Sequence, residues 1–526
     1  MHMRGIKSYL NVSIRILGDR LEVPFMSRGR PSVRELLRQL LALRTDVTDV
    51  GEMLINRWRP LVADTSFKQS ARNLAYYLAL RRHDLRPLQQ ELVPLGVSSL
   101  GRCEAHVLPT LDAVLATLAV IAGAGAGPIP KRPLRRSFEA ASENVRRQAT
   151  TVLGPISGPR SVRIMVTLPT EAATQRSLAR KLIGAGTDCA RINCAHDDAE
   201  TWQNMISNVR AAARACRRQC RILMDLTGPR ARTEEVLIPK ERSRVHLHQR
   251  LLLTRDGFVD ERHFPFQARC SLPAVFAELK PGSLVSFDEG RIGARVENAT
   301  AEHAELRVIC ARPCGEKFRP GMALNFPDTD LHISPLTEKD LADLDFIVRH
   351  ADLVGYSFVQ RAEDISGLLG ELDSRRARFK RKEKMGIVAK IETARAVCNL
   401  PEIIVRAAGR GPFGVMIARG DLAVEVGYLR VAELQEEILW LCEAAHVPVI
   451  WATQVLETLA KKGVPTRAEI SDAAMAERAE SVMLNKGPFI LEAVKALDSV
   501  LTRMATHHHK KTATLRALHA WDHITA

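Results

Sequence analysis

The chain has 526 residues, is 46% hydrophobic and 26% charged, and carries a formal net charge of +16, so it can bury a large core spread over three or four units and is not a disordered chain. The positive balance fits either a basic surface with no specific partner or a field that draws in anionic substrates, while 5% aromatics and no RRM, zinc-finger or homeodomain signature argue against nucleic acid. Ten scattered cysteines without a CxxC pair exclude a dense disulfide framework and fit reduced thiols in a cytoplasmic protein, and Cys216/Cys220 and Cys310/Cys314 lack further zinc ligands nearby.

Residues 1–30 show little pattern. They are Arg-rich, but Asp19 and Glu22 argue against a transit peptide. From Pro31 to about Leu118 the apolar spacing predicts helices; SVRELLRQLLAL places Val33, Leu36, Leu37, Leu40 and Leu41 on one face. The apolar run near Ala113–Ala126 is short for a membrane span and reads as a buried helix leading into the linker GAGAGPIPKRPLRR, so no membrane partner is expected. Residues 1–150 form this helical extension and linker, and they hold +10 of the net charge.

From Val162 onward, eight short apolar runs alternate with amphipathic helical patterns: VRIMVT, CARIN, RILMD, DLVGYS, GIVAK, GVMIA, VPVIWA and SVML. That alternation predicts an α/β fold, a (β/α)8 TIM barrel, with its first part at 151–233 and its second at 325–506. Between them, residues 234–324 alternate at period two, with Pro-Gly turns at 281–282 and 320–321, which predicts an inserted antiparallel β domain sized as a lid. A basic tail, 507–526, carries His507 to His509 and reads as solvated.

In such a barrel the C-terminal strand ends form the active site. Those ends carry Arg191 and Asn193, Asp225, Ser357, Lys390 and Glu392, then Arg419, Gly420 and Asp421, Thr453, and finally Asn485 and Lys486. Two carboxylates on adjacent strands, Glu392 and Asp421, suit a hard divalent cation that takes its other ligands from water and substrate. Lys and Arg beside them suit a phosphoryl group in transfer or a developing enolate. Asp421 is expected just before a short turn, where Gly420 opens the backbone to an anion. A plain salt bridge at a strand end is the simpler alternative for Lys390 and Glu392.

These segments resemble the pyruvate kinase family. CARINCAHDD, MDLTGPRART, AKIETARAVCNLPEII, GVMIARGDLAVEV, ISPLTEKD and VIWATQVLETLAKKGVPTRAEISDAAMA are similar to its motifs across roughly Val162 to Ala505. The resemblance implies conversion of phosphoenolpyruvate and ADP to pyruvate and ATP. It implies Glu392 and Asp421 on Mg2+ (or Mn2+), Lys390 on the transferring phosphoryl group and the enolate, and Arg191 on the substrate phosphate. Gly420, Asp421 and Thr453, with Ser357 nearby, would bind substrate, and Thr453 lies on the proton route. Asn193, His196 and Arg232 would face the nucleotide phosphates. FDEG at 287–290 is similar to the lid turn, and Lys317 is a further lid candidate. A homo-oligomer is also implied.

The sequence departs from the family pattern in several places. Ala195 and Leu226 replace two hydroxyls of the monovalent-cation site. Arg230 stands where potassium-dependent members have Glu, so it is expected to replace the cation and K+ is not required. Thr227 replaces a Lys, and NKGP at 485–488 replaces the family's SGET. After the last barrel helix only about 20 residues follow, so the family's C-terminal regulatory domain, and activation by fructose bisphosphate through it, are not expected. Two alternatives remain: a non-catalytic phosphoenolpyruvate-binding sensor on the same barrel, and another Mg2+-dependent enolate-forming barrel enzyme.

Overall fold

The computed structural model describes residues 30–513, apart from 125–127, 157, 240–242, 260, 332 and 510–511. The readings of residues 1–29, and of the tail side chains from His508 onward, lie outside the described residues.

The N-terminal unit is helical: α1 (Val33–Trp58), α2 (Lys68–Leu80), α3 (Arg86–Leu92), α4 (Val107–Ile121) and α5 (Arg136–Leu153). Ser32 caps α1, its hydroxyl accepting from the Glu35 N–H, and Leu36, Leu37 and Leu40 are buried on the face that the sequence spacing marks. A segment that includes α4, Glu104–Ile121, has a mean hydropathy of 1.5 and is long and apolar enough to cross a membrane, which the sequence reading did not register. Its Val107, Leu111, Val114, Leu115 and Leu118 are buried in the helical unit. The segment read as linker ends where α5 begins, because Arg136 opens a helix of 18 residues.

The barrel follows. Its strands are β1 (Arg163–Thr167), β2 (Thr187–Asn193), β3 (Arg221–Asp225), β13 (Leu353–Tyr356), β14 (Gly386–Ile391), β15 (Phe413–Ala418), β16 (Val449–Ala452) and β17 (Ser481–Leu484), counted after the inserted strands β4–β12. They close in that order, β1 pairing with β17 through Arg163↔Ser481. All eight pairings are parallel, which is why the strands read as continuous apolar runs. The eight expected strands and the (β/α)8 fold are present.

Helices α6 (Arg176–Gly184), α7 (Ala199–Ala215), α8 (Glu338–His350), α9 (Ala362–Arg378), α10 (Ala394–Cys398), α11 (Leu400–Ala408), α12 (Arg419–Val426), α13 (Tyr428–Ala444), α14 (Glu457–Lys462), α15 (Arg467–Met475) and α16 (Ile490–Met504) surround the barrel. Inside it, Met165, Cys189, Leu223, Leu353, Val388, Met416, Ile450, Ala452 and Met483 pack as one apolar cluster, joined by Val152 and Leu153 from the end of α5. The N-terminal unit thus supplies the stopper of the barrel's N-terminal end. It also docks laterally. Asn73 Nδ2 donates to the carbonyls of Glu104 and Ala444, and Ser70 Oγ lies 2.9 Å from His446 Nδ1.

The insertion forms a seven-stranded sheet, in spatial order β12 (Leu324–Asn325), β8 (Leu284–Phe287), β9 (Ile292–Ala299), β10 (His303–Cys310), β6 (Arg250–Thr254), β7 (Gln267–Cys270) and β4 (Thr233–Leu237). A separate ribbon pairs β5 (Arg244–Val245) with β11 (Glu316–Lys317). The sheet is antiparallel except that β6 and β7 run parallel.

Candidate active site

Each barrel strand delivers its polar end to one rim, and the side chains there pair with one another. Arg191, near the end of β2, donates from Nε to Asp225 Oδ2 at 2.7 Å and from Nη1 to Thr167 Oγ1 at 3.0 Å. Lys390 Nζ, on β14, lies 2.9 Å from Glu392 Oε1 and 3.7 Å from Asp225 Oδ2, and donates to Ser357 Oγ at 2.7 Å. Arg230 Nη2, on the loop after β3, lies 2.5 and 2.7 Å from the two Asp421 oxygens. Three cations therefore face three carboxylates. Thr453 Oγ1 accepts from the Gly420 N–H at 2.9 Å.

Burial and charge oppose one another here. Burial opposes the charge on Lys390, but Glu392 and Asp225 outweigh it and raise its pKa, so the ammonium stays protonated. Burial, with the charge of Asp421, raises the Glu392 pKa against the pull of Lys390. Asp225 is also desolvated, yet Arg191 and Lys390 hold it below the usual carboxylate range. Its Oδ1 has no hydrogen-bond partner among the described residues and lies against Gly355, where an added Cβ would come within 1.7 Å of it.

The fit to a divalent metal rests on one observation. The Arg230 guanidinium bonds Asp421, its charge also acts on Glu392, whose contact cation is Lys390, and the two carboxylates act on one another, so they neighbour one cationic region. Hard oxygen donors facing one cationic region fit Mg2+ or Mn2+. Among the described residues no group of three or more His, Cys, Asp or Glu could hold a metal, so the remaining ligands would come from substrate and water.

The nucleotide candidates border the same residues, His196 interacting with Arg191 and Arg232, and Arg232 with Arg230 and Asp421. Asn193 Oδ1 accepts from the Ala195 N–H at 3.1 Å. Burial, then the neighbouring Lys486, lowers the His196 pKa, with Arg232 and Arg191 adding to it, so Lys486 and His196 share this region. Arg232 lies at the junction with the inserted sheet; Nη1 donates to the Gly321 carbonyl, and burial and Arg230 lower its pKa. The FDEG turn faces the rim, its Glu289 acting on Arg230 and its Asp288 on Arg232. Lys317 sits in the small ribbon opposite Arg244.

One local expectation differs. Gly420 and Asp421 do not precede a short turn; they lie in the first turn of α12, which follows β15 directly. A Cβ at Gly420 would meet only ordinary contacts, 3.8 Å from Thr453 Oγ1, so no steric demand for glycine arises there. The Thr453 backbone is left-handed (φ 65°), as are Gln454 (56°) and Leu456 (46°), a cluster of strain of the kind found at functional sites.

Several supporting residues escaped the sequence reading. Asp340 accepts from the N–H groups of Thr227 and Gly228 and from the Thr337 hydroxyl, pinning the turn that carries Arg230. The T-x-x-D spacing of LTEKD, a capping box, was the available signal. Asp472 accepts from Arg419 Nη1 and Nη2 at 2.5 and 2.8 Å, and the Arg419 guanidinium lies 4.6 Å from the Trp451 ring. Burial, with Asp421 and Asp328 nearby, pushes the Glu425 carboxyl up to about 8.

Fold and rim together define a (β/α)8-barrel enzyme with paired acids and cations at the strand ends. A family model described as "Pyruvate kinase, barrel domain" matches residues 159–493. The chain is 31% identical over 367 residues to a pyruvate kinase of Agrobacterium vitis, covering 67% of this chain and 71% of that one. It is 30% identical to a pyruvate kinase of Geobacillus stearothermophilus, covering 65% of this chain and 57% of the relative. A crystal structure of a pyruvate kinase from Cryptosporidium parvum superimposes with a TM-score of 0.58 at 25% identity, covering 68% of this chain and 72% of the other. The chain belongs to the pyruvate kinase family.

Proposed function

We propose that the chain transfers the phosphoryl group of phosphoenolpyruvate to ADP, giving pyruvate and ATP, with Mg2+ or Mn2+ held by Glu392 and Asp421. The carrying observation is the convergence at Lys390, whose ammonium meets Glu392 at 2.9 Å and Ser357 at 2.7 Å beside the Arg191–Asp225 pair. The metal supplies charge neutralisation on the phosphoryl oxygens.

The residues act as follows. Arg191, already oriented by Asp225 and Thr167, clamps the substrate phosphate. Lys390 stabilises charge on the phosphoryl group and then on the enolate. The N–H groups at the start of α12 and the Thr453 hydroxyl hold the substrate carboxylate. Because Thr453 Oγ1 accepts from Gly420, its own proton points elsewhere, which suits proton delivery to the enolate carbon. Asn193, His196 and Arg232 face the nucleotide phosphates, and the inserted sheet acts as the lid.

The reading includes independence from K+. Ala195 and Leu226 offer no hydroxyls, and Asp225 has Oδ2 committed to Arg191 and Oδ1 packed against Gly355. It also includes a cytoplasmic location and self-association.

A coupled assay for pyruvate with phosphoenolpyruvate, ADP and Mg2+ tests it. Activity is expected in the wild type and a loss of about a thousandfold or more in Lys390→Ala. Phosphoenolpyruvate binding without pyruvate formation would establish the sensor alternative instead.

A further inference from the structure

Arg230 has a position that its role as a cation substitute does not explain. Its guanidinium does not point into open space for an incoming phosphate. It grips Asp421 through both oxygens at 2.5 and 2.7 Å. Its charge also acts on Glu392. These are the two carboxylates that the proposed function assigns to the divalent metal.

We propose that Arg230 is an internal competitor for the metal position, a latch that must release Asp421 before a divalent cation takes both carboxylates. This inference rests on the metal site of the proposed function and deepens it.

The surroundings fit a side chain that swings on a fixed root. The Thr227 and Gly228 N–H groups are held by the Asp340 carboxylate, and the Arg230 N–H lies 2.8 Å from the Gly228 carbonyl, so the backbone there is pinned. The Arg230 side chain, by contrast, is 35% exposed. Phe358 borders the pair: its ring lies 6.0 Å from the guanidinium, and its N–H donates to Glu392 Oε2 at 2.6 Å. Glu289, in the turn between β8 and β9 of the inserted domain, already acts on Arg230, so a released guanidinium stays in an anionic field at the mouth of the site. There it is available to a phosphate. A divalent cation and a guanidinium cannot share Asp421 without mutual repulsion, so metal entry and release of Arg230 are one event. An anion that captures the freed guanidinium then tightens the metal.

Mn2+ binding to the full chain, read from the electron paramagnetic resonance of the free ion without phosphoenolpyruvate or nucleotide, tests the latch. Arg230→Met is expected to bind Mn2+ about tenfold more tightly than wild type, since no charge-assisted pair has to be broken. Arg230→Lys, which keeps the charge but loses the fork, should fall between them, and it decides the matter if Arg230→Met does not fold. Affinity equal to or weaker than wild type in these variants overturns the latch. Asp421→Asn separates the two readings. Unchanged Mn2+ binding there removes the metal site itself, whereas weakened binding there with no gain in Arg230→Met removes the latch alone.

Discussion

Lys390 Nζ donates to Ser357 Oγ at 2.7 Å, and that hydroxyl donates onward to the Leu226 carbonyl at 2.7 Å. The ammonium is thus aimed by a relay that ends on backbone. Ser357→Ala removes one acceptor but leaves Glu392 and Asp225. A hydrogen bond to a charged group contributes about 1.5 kcal/mol at the lower end, so kcat should fall about tenfold while KM for phosphoenolpyruvate moves less than about threefold. Steady-state kinetics check this; a raised KM with unchanged kcat would contradict it.

Potassium is expected to be dispensable. Once released from Asp421, the Arg230 guanidinium about 4 Å from a phosphate would contribute about 4 kcal/mol at an effective dielectric of 20, which covers what a bound monovalent ion would add. Pyruvate formation in equal concentrations of potassium and sodium chloride should agree within about twofold. Tenfold activation by potassium would refute the expectation.

His446 makes stability depend on acid. It is buried, and burial, with His106 and Arg147 adding to it, lowers its pKa to about 4, while the Ala105 carbonyl opposes the shift. Neutral His446 can donate from Nε2 to that carbonyl and accept at Nδ1 from Ser70. The unfolded chain protonates this imidazole near its ordinary value of about 6.5, and the folded chain resists until about 4. Stability is therefore full above about 6.5 and falls as pH drops through that window, by at most about 3 kcal/mol. Urea midpoints measured down that pH range should show the loss, and His446→Gln should flatten it.

Leu153→Ala tests the stopper. Leu153 is fully buried among the inward side chains of the barrel strands. The truncation should cost about 2–5 kcal/mol in denaturant unfolding, the range for a large core aliphatic. An effect below about 1 kcal/mol would mean that α5 is peripheral.

Gly355→Ala should act at a distance from substrate. The new Cβ would lie 1.7 Å from Asp225 Oδ1, so the carboxylate has to shift and Arg191 loses its aligned partner. Overpacking of this kind costs about 1–3 kcal/mol of stability, and KM for phosphoenolpyruvate should rise with it. Thermal unfolding and kinetics together check both.

The barrel was legible because each strand is a short apolar run closed by a polar residue, and parallel pairing places those ends on one rim. RILMD and SVML coincide with β3 and β17 residue for residue. The first turn of α12 was not legible: Ala418 makes no side-chain cap, so nothing in ARGD signals a helix start. The Arg230–Asp421 contact was hidden for another reason, since its partners are 191 residues apart and charge alone does not choose between Asp421 and a phosphate. The docking of the N-terminal unit was equally out of reach. His446 reads as a lone histidine in AAHVPV, and its partner Ser70 lies 376 residues upstream.

The barrel's plug has a consequence for biosynthesis. Leu153 leaves the ribosome before any strand of the barrel exists, while the wall it must fill is complete only when Met483 emerges. Throughout synthesis of the barrel strands between them, the end of α5 is a greasy tip without its socket. Nascent chains of this protein should accordingly be good clients for chaperones that shield apolar segments, until the eighth strand closes the ring.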